Sequence, residues 1–431
     1  FHFPTQPGAT PGFTAASSLR QPVPHGVREG ILLGSGLDRR GAPARFLLPP
    51  ENLVRHALVV GPSGSGKTVL FAQIARELIA QGQGLTVIDP HGGLVTEIAS
   101  TLPNGAEERA AIVRFSDPEH VVGLNPLAAA QDRETFVADE LVELVGRVYG
   151  RGNWGPLLDL ALRHSAIASA EIGGSILDSA ELLEDPYYRE DVALRVRNPA
   201  TLRYLDRLGD ASGLDRRVLP ALHRLDRMLS SPILRSSLAL PKQTLSLGRV
   251  FAERRVLLLD LSGIGLANAR VLGSILLLLI RNATLSRPFD APLHAVLVDE
   301  ASLFVSPTIA EMLDQARKYR VGVALAVQRL SQLEPESVRS AVTANVANLF
   351  SFRVLRLCRC RLFTEGHATA VSFSFSTFRA YIPRNSSAAG SYVFTGNCRA
   401  VRHFSDWLCE ADGGQVKNFL LLLSYQSLDS P

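Results

Sequence analysis

Gly61-Pro-Ser-Gly-Ser-Gly-Lys-Thr68 carries the spacing G-x-x-x-x-G-K-[ST], and what flanks it decides the fold. Before it, the apolar run Ala57-Leu-Val-Val60 predicts a buried parallel strand. After it, Val69, Leu70, Ile74, Leu78 and Ile79 recur at helical spacing, so the loop opens a helix N-terminus. Backbone N–H groups through Ser63, Gly64, Ser65 and Gly66, together with the helix dipole, favour anionic phosphate there. Gly61, Gly64 and Gly66 let the chain curl tightly around it. Lys67 places a point charge on the β/γ-phosphates, and the Thr68 hydroxyl can ligate Mg²⁺. Without the strand and helix around it, this would read as a glycine-rich turn that happens to carry Lys-Thr. With them, it predicts a site for ATP and Mg²⁺.

A second segment supplies what a phosphoryl-transfer site needs beside such a loop. Leu293-His-Ala-Val-Leu-Val-Asp-Glu300 is an apolar strand ending in two carboxylates. Asp299 can hold Mg²⁺ through water, and Glu300 can orient and polarise an attacking water. Gln328 ends the next apolar run, Val321-Gly-Val-Ala-Leu-Ala-Val327, where its amide can meet the γ-phosphate or the lytic water; the alternative is a surface glutamine. Arg317 precedes that run and is either an arginine finger for a neighbouring subunit's phosphate or a solvated helix end. His91, in Asp89-Pro-His-Gly92, reads as a turn residue.

At 431 residues the chain exceeds one ordinary core. A hydrophobic content of 46% with 20% charged residues excludes a disordered chain, and a formal charge of +4 is too small to identify a nucleic-acid partner. The apolar stretches Ser274–Ile280 and Phe419–Leu423 fall short of the roughly 20 residues that span a bilayer, so no membrane segment and a cytoplasmic location are expected. The chain begins at Phe1, so an N-terminal stretch able to carry a membrane anchor is read as missing, and the protein could lie peripheral to the inner membrane.

The pattern along the chain predicts an α/β fold with a mainly parallel sheet plus an all-helical subdomain. Residues 1–28 read as a linker. Residues 29–127 form the first part of the ATPase core, opened by a small β element before Leu48, with strands Leu85–Asp89 and Ala111–Phe115. Residues 128–247 are the helical subdomain, where Leu222, Leu225 and Leu229 mark one amphipathic face. Residues 248–354 resume the core, with strand Val256–Leu261, a helix near Leu266–Leu285, and strands Ala295–Val298, Val321–Val327 and Asn348–Val354. Residues 355–431 read differently: all four cysteines (Cys358, Cys360, Cys398, Cys409) lie there without metal-ligand spacing to His367, and helical periodicity is weak. They are read as free thiols in an aberrant tail.

Together these pieces resemble the HerA–FtsK superfamily of ring ATPases, in the branch containing the TraG/TraD-like coupling proteins of type IV secretion and conjugation. The resemblance rests on His56-Ala-Leu-Val-Val-Gly61, Val87-Ile-Asp-Pro-His-Gly-Gly93, Gly123-Leu-Asn-Pro-Leu127, Asn153-Trp-Gly155, Leu259-Asp-Leu-Ser262 and Val298-Asp-Glu300. It continues through Ala316-Arg-Lys-Tyr-Arg-Val-Gly322 to Gln328 and Gln332-Leu333, covering about Gly30 to Val354. It implies a RecA-like core, a homo-hexameric ring with nucleotide at subunit interfaces, and DNA driven through the pore by ATP hydrolysis, beside a secretion or conjugation apparatus. Lys67, Thr68, Asp299, Glu300 and Gln328 match the family's nucleotide-site positions, and Arg317 its Arg-Lys motif. After Asn348-Leu-Phe-Ser-Phe-Arg-Val354 the family pattern leads to Asp-Ala, whereas this chain continues Leu-Arg-Leu-Cys-Arg-Cys360, as a frameshifted or recombined C-terminus would. Three functions follow: a DNA-translocating motor, a secretion or pilus-assembly ATPase that does not act on DNA, or an ATP-binding fragment without turnover.

Overall fold

The computed structural model describes residues 28–37, 42–128, 133–150, 154–209, 215–352 and 419–423. The predicted linker before Arg28, Asn153, all four cysteines and His367 lie outside them.

The chain opens with an antiparallel pair, β1 (Ile31–Leu37) and β2 (Pro43–Leu48), which is the small β element expected there. A single turn, α1 (Pro50–Leu53), leads into β3 (Ala57–Val60), and the glycine-rich loop then opens α2 (Lys67–Ala80). Next come β4 (Gly84–Asp89), α3 (Gly93–Ser100) and β5 (Ala110–Arg114). Every element from here to β6 is helical: α4 (Glu134–Tyr149), α5 (Pro156–Glu171), α6 (Ile176–Glu184), α7 (Pro186–Ala193), α8 (Pro199–Leu208), α9 (Leu219–Leu229), α10 (Pro232–Leu238) and α11 (Leu247–Ala252). The α/β alternation resumes with β6 (Val256–Asp260), α12 (Leu266–Leu285), β7 (His294–Val298), α13 (Pro307–Gln315), β8 (Val321–Val327), α14 (Glu336–Asn345) and β9 (Asn348–Phe352). Inside the stretch expected to be aberrant, Phe419–Leu423 forms β10, parallel to β9.

One sheet in the order β10-β9-β3-β8-β7-β4-β6-β5 collects these strands, all parallel. Its central strands are continuous apolar runs because both faces are covered. On one face lie α2, α3 and the β1–β2 pair, with Phe71, Ile74 and Leu78 of α2 fully buried at helical spacing. Each such side chain contributes about 1.5–3 kcal/mol on burial. The Gln73 amide donates to the Leu32 carbonyl, and Glu77 accepts the Leu32 N–H, so α2 carries the hairpin on its outer side.

On the other face lies α12, which joins the helical segment to the sheet. A single apolar core runs from the sheet through α12 into α4, α5 and α9, including Leu222, Leu225 and Leu229. Only Ala168, Leu182, Val192, Val196 and Leu205 form a separate core among the outer helices. Arg281 of α12 binds Glu140 of α4 at 3.0 Å and Glu311 of α13 at 2.6 Å, tying the two parts by charge as well. The longest helix, α12, has the length and a mean hydropathy of 1.3 that a membrane span would have, but 61% of that window is buried inside the protein. Its apolarity is that of a core helix with both sides covered.

His56 anchors the start of β3. Its backbone is left-handed (φ 62°), its ring Nε2 donates to the Leu313 carbonyl, and its Nδ1 accepts the Val323 N–H. Burial drives its pKa down to about 4, the Arg317 charge adds to this, and the bond to Leu313 opposes it. Buried His294, bonded to Thr86, is pushed down to about 3, chiefly by burial. For both rings the folded pKa lies below the ordinary 6.5, so below that pH the unfolded chain binds protons that the native state refuses. Stability is therefore expected to fall as pH drops from 6.5 towards 4, and thermal melts across that range should show it. His56→Gln should melt lower at pH 7 and respond less steeply to acid; a wild-type melting temperature that is flat from pH 6.5 to 5 would contradict this.

Candidate functional site

The carboxyl edge of the sheet gathers the residues singled out by the sequence. Because β8 lies between β3 and β7, the end of β3 faces Gln328, and Gln328 in turn faces the end of β7. Register aligns Val60 with Val327 and Val298 with Leu325, so Gly61 and Gln328 emerge at one level and Glu300 one position below them. The Gly61 N–H donates to the Val327 carbonyl at 3.1 Å, continuing the strand pairing into the loop.

The loop itself is a tight cradle. Gly66 caps α2 in the left-handed region (φ 103°), where a side chain would be strained. A Cβ on Gly61 would lie 2.6 Å from both Phe352 Cβ and Ser65 Oγ. The Ser65 hydroxyl is buried with no hydrogen-bond partner among the described residues. A buried hydroxyl left orphaned in a ring of backbone N–H groups at a helix start suits a phosphate oxygen. Ser63 and Gly64 are exposed at the loop tip, and Thr68 is half-buried in the first turn of α2. Lys67 is buried; its Nζ donates to the Gly61 carbonyl at 2.9 Å and the Pro62 carbonyl at 3.2 Å.

Across from the loop, Asp299 and Glu300 end β7. The Asp299 carboxylate is buried and its pKa is raised to about 6, first by desolvation and further by the charges of Asp89 and Glu300, while the Glu300 N–H and Lys67 oppose the rise. A buried carboxylate with like charges around it suits a divalent cation, which supplies the missing positive charge. Among the described residues no cluster of three or more His, Cys, Asp or Glu could hold a metal by itself.

Glu300 adopts a left-handed backbone (φ 42°, ψ 47°), uncommon for a residue with a Cβ. Its carboxylate accepts from the Gln328 amide at 3.1 and 3.3 Å on its two oxygens and lies 4.0 Å from Lys67 Nζ. Gln328, expected to meet a γ-phosphate or water, thus lies beside Glu300 at the mouth of the phosphate loop. The Gln328 N–H is itself held by the Gln332 side chain at 3.1 Å, which accounts for Gln332 in the motif.

Arg317 is not part of this cluster. It is exposed on the short turn that leads into β8, at the opposite edge of the sheet, close enough to His56 to affect its charge. Other motif residues prove structural. Asn125 donates to the Gly174 and Pro241 carbonyls and accepts the Leu127 N–H, locking three segments together. Asp89 accepts the His91 and Val95 N–H groups, capping the start of α3, while the His91 side chain is exposed.

Comparison with known proteins agrees with this geometry. Residues 31–154 match the family described as helicase HerA, central domain. Among solved structures, the plasmid coupling protein TrwB in complex with ADP and Mg²⁺ aligns with a TM-score of 0.50 at 17% identity, over 72% of this chain and 73% of that one. TrwB with a non-hydrolysable ATP analogue aligns at 0.51 and 16%, over 77% and 76% of the two chains. VirB4 of Thermoanaerobacter pseudethanolicus aligns at 0.51 and 14%, over 75% and 85%. At these identities the likeness establishes the fold, a RecA-like P-loop core. No curated protein sequence matches the chain.

Gly61→Ala tests the cradle. The added methyl must displace Phe352 or Ser65, so stability should fall by about 1–3 kcal/mol in chemical denaturation, and ATP affinity should fall with it. Unchanged affinity would mean that the loop relaxes freely.

Proposed function

We propose that this HerA–FtsK P-loop ATPase is a DNA-translocating motor of the conjugation and type IV secretion coupling type, hydrolysing ATP between the subunits of a homo-hexameric ring. One observation carries the reading. Lys67, Glu300 and Gln328 converge at one sheet edge, whereas Arg317 stands exposed at the other, apart from its own chain's site. Such a half-site is completed by assembly.

In this mechanism the N–H groups of Ser63, Gly64 and Gly66 and the hydroxyls of Ser63 and Ser65 hold the phosphates, and Lys67 neutralises charge on the β/γ-oxygens. Thr68 and Asp299 would hold Mg²⁺, which would supply positive charge to offset the negative charge of the phosphates. Glu300 orients the attacking water and accepts its proton. Gln328 restrains Glu300 by its two hydrogen bonds, so the carboxylate must trade that partner for water before it can act. A neighbour's Arg317 stabilises the transferring phosphoryl group. The likeness to TrwB, a plasmid coupling protein, supports DNA as the transported polymer.

Lys67→Ala should weaken ATP binding. Glu300→Gln should bind ATP and hydrolyse it about 10²–10⁴-fold more slowly. Equilibrium binding of a fluorescent ATP analogue, alongside phosphate release, separates the two effects, and wild-type turnover in Glu300→Gln would remove it from the role of base.

The motor reading is tested by turnover with and without DNA. DNA of unrelated sequence should raise the rate alike, and its binding should weaken steeply with salt, because phosphate contacts dominate. Mixing Arg317→Ala with Glu300→Gln protein should restore part of the lost activity, each interface drawing its groups from two chains. No stimulation by any DNA would favour an ATPase acting on another cargo.

A further inference from the structure

Two turns at the strand-start edge of the sheet, opposite the phosphate loop, meet in an arrangement whose residues other than Arg317 have no part in nucleotide hydrolysis as proposed. Phe289, on the turn between α12 and β7, is 67% exposed. Its ring stacks on Tyr319, which precedes β8, with centroids 5.1 Å apart and planes inclined by 27°. Arg287 ties the turns together, donating to the Tyr319 carbonyl at 3.0 Å and the Pro292 carbonyl at 2.6 Å. The aromatic pair is thus held rigidly, with Phe289 open to solvent.

Positive charge surrounds the pair. Residues 286–292 and 317–320 hold four cations and one carboxylate, Asp290. Lys318 and Arg320 are exposed, and among the described residues neither is paired with an acid. The Arg320 charge, after burial, helps lower the pKa of Arg287 to about 10, a mark of how closely the cations crowd. Arg320 also has a left-handed backbone, φ 55°, where glycine would be free of strain. A strained arginine retained at an exposed turn is what a functional side chain would look like.

We propose that Phe289, Tyr319, Lys318 and Arg320 form a contact site for single-stranded DNA, one unpaired base stacking on the exposed Phe289 ring while the two cations hold adjoining phosphates. The proposal rests on the reading of DNA as the transported polymer and assigns it a surface. A free ring face flanked by cations suits unpaired bases, since every base has a π-face and the contact tolerates any sequence, as a motor requires. Bases paired in a duplex do not expose a face to it. The stacked pair also presents more rigid apolar surface than a cation cluster alone, which separates this site from a merely solvated turn.

The test measures anisotropy of labelled oligo-dT with the full chain, as wild type and as Phe289→Ala, Lys318→Ala and Arg320→Gly. Phe289→Ala should bind single strands roughly 5- to 100-fold more weakly, the effect of one lost stacking partner, and duplex DNA nearly as before. Lys318→Ala and Arg320→Gly should each reduce the salt dependence of log affinity by about 0.7, one phosphate contact on a single strand. ATP affinity should be unchanged in all three. Arg320→Gly also guards against misfolding: glycine relieves the backbone strain, so its melting temperature should hold or rise while DNA affinity falls. If the wild type binds no DNA, both the motor reading and this site fail. Wild-type DNA binding that the variants leave untouched overturns the site alone. Equal losses on duplex and single strand overturn the stacking role. Lost self-association with DNA affinity retained would make the surface a subunit contact instead.

Discussion

The parallel pairing of β3 with β8, carried one step further by the Gly61 N–H on the Val327 carbonyl, is the constraint on which the site depends. It sets the height of the phosphate loop against the strand that ends in Gln328. Pairing of β8 with β7 then sets Gln328 against Glu300. A change of one position in either register would reverse the faces of a strand that is buried on both sides, so the core itself guards the alignment of the catalytic edge.

The same edge concentrates negative charge where the fold supplies little to offset it. Asp89 and Asp299 are buried within one section of neighbouring strands. Asp89 accepts two backbone N–H groups and Asp299 one, and burial is the main reason the Asp299 carboxyl is pushed up. Lys67 at 4.0 Å from Glu300 offsets part of the field. The remaining imbalance is chemically useful, since a divalent cation and phosphates bring both signs of charge that the site can accept.

The two edges of the sheet do different work. At the strand ends lie acids, the cradle and the glutamine latch. At the strand starts lie Arg317, the neutral buried histidines His56 and His294, and the rigid aromatic pair among cations. Rigid strands of four to seven residues connect the two edges, and α13 runs directly from the turn after Glu300 to Arg317.

Local physics made much of this legible from the chain alone. The glycine spacing and Lys67-Thr68 identify a phosphate loop because only that order yields a left-handed helix cap with a cation beside it. Runs such as Val321–Val327 read as parallel strands because both faces must be apolar, and Leu222, Leu225 and Leu229 read as one buried helix face because 3.6 residues make a turn. Tertiary structure decided the rest. That Gln328 meets Glu300 depends on β8 lying between β3 and β7, and nothing in either segment encodes its neighbour. That Arg317 stands apart from its own chain's site depends on which end of β8 it precedes. The helical segment shares its core with the sheet because α12 offers apolar surface on both sides, which a one-dimensional pattern of leucines does not distinguish from a membrane span. The Phe289–Tyr319 stack joins residues 30 positions apart and became visible only once the two turns met.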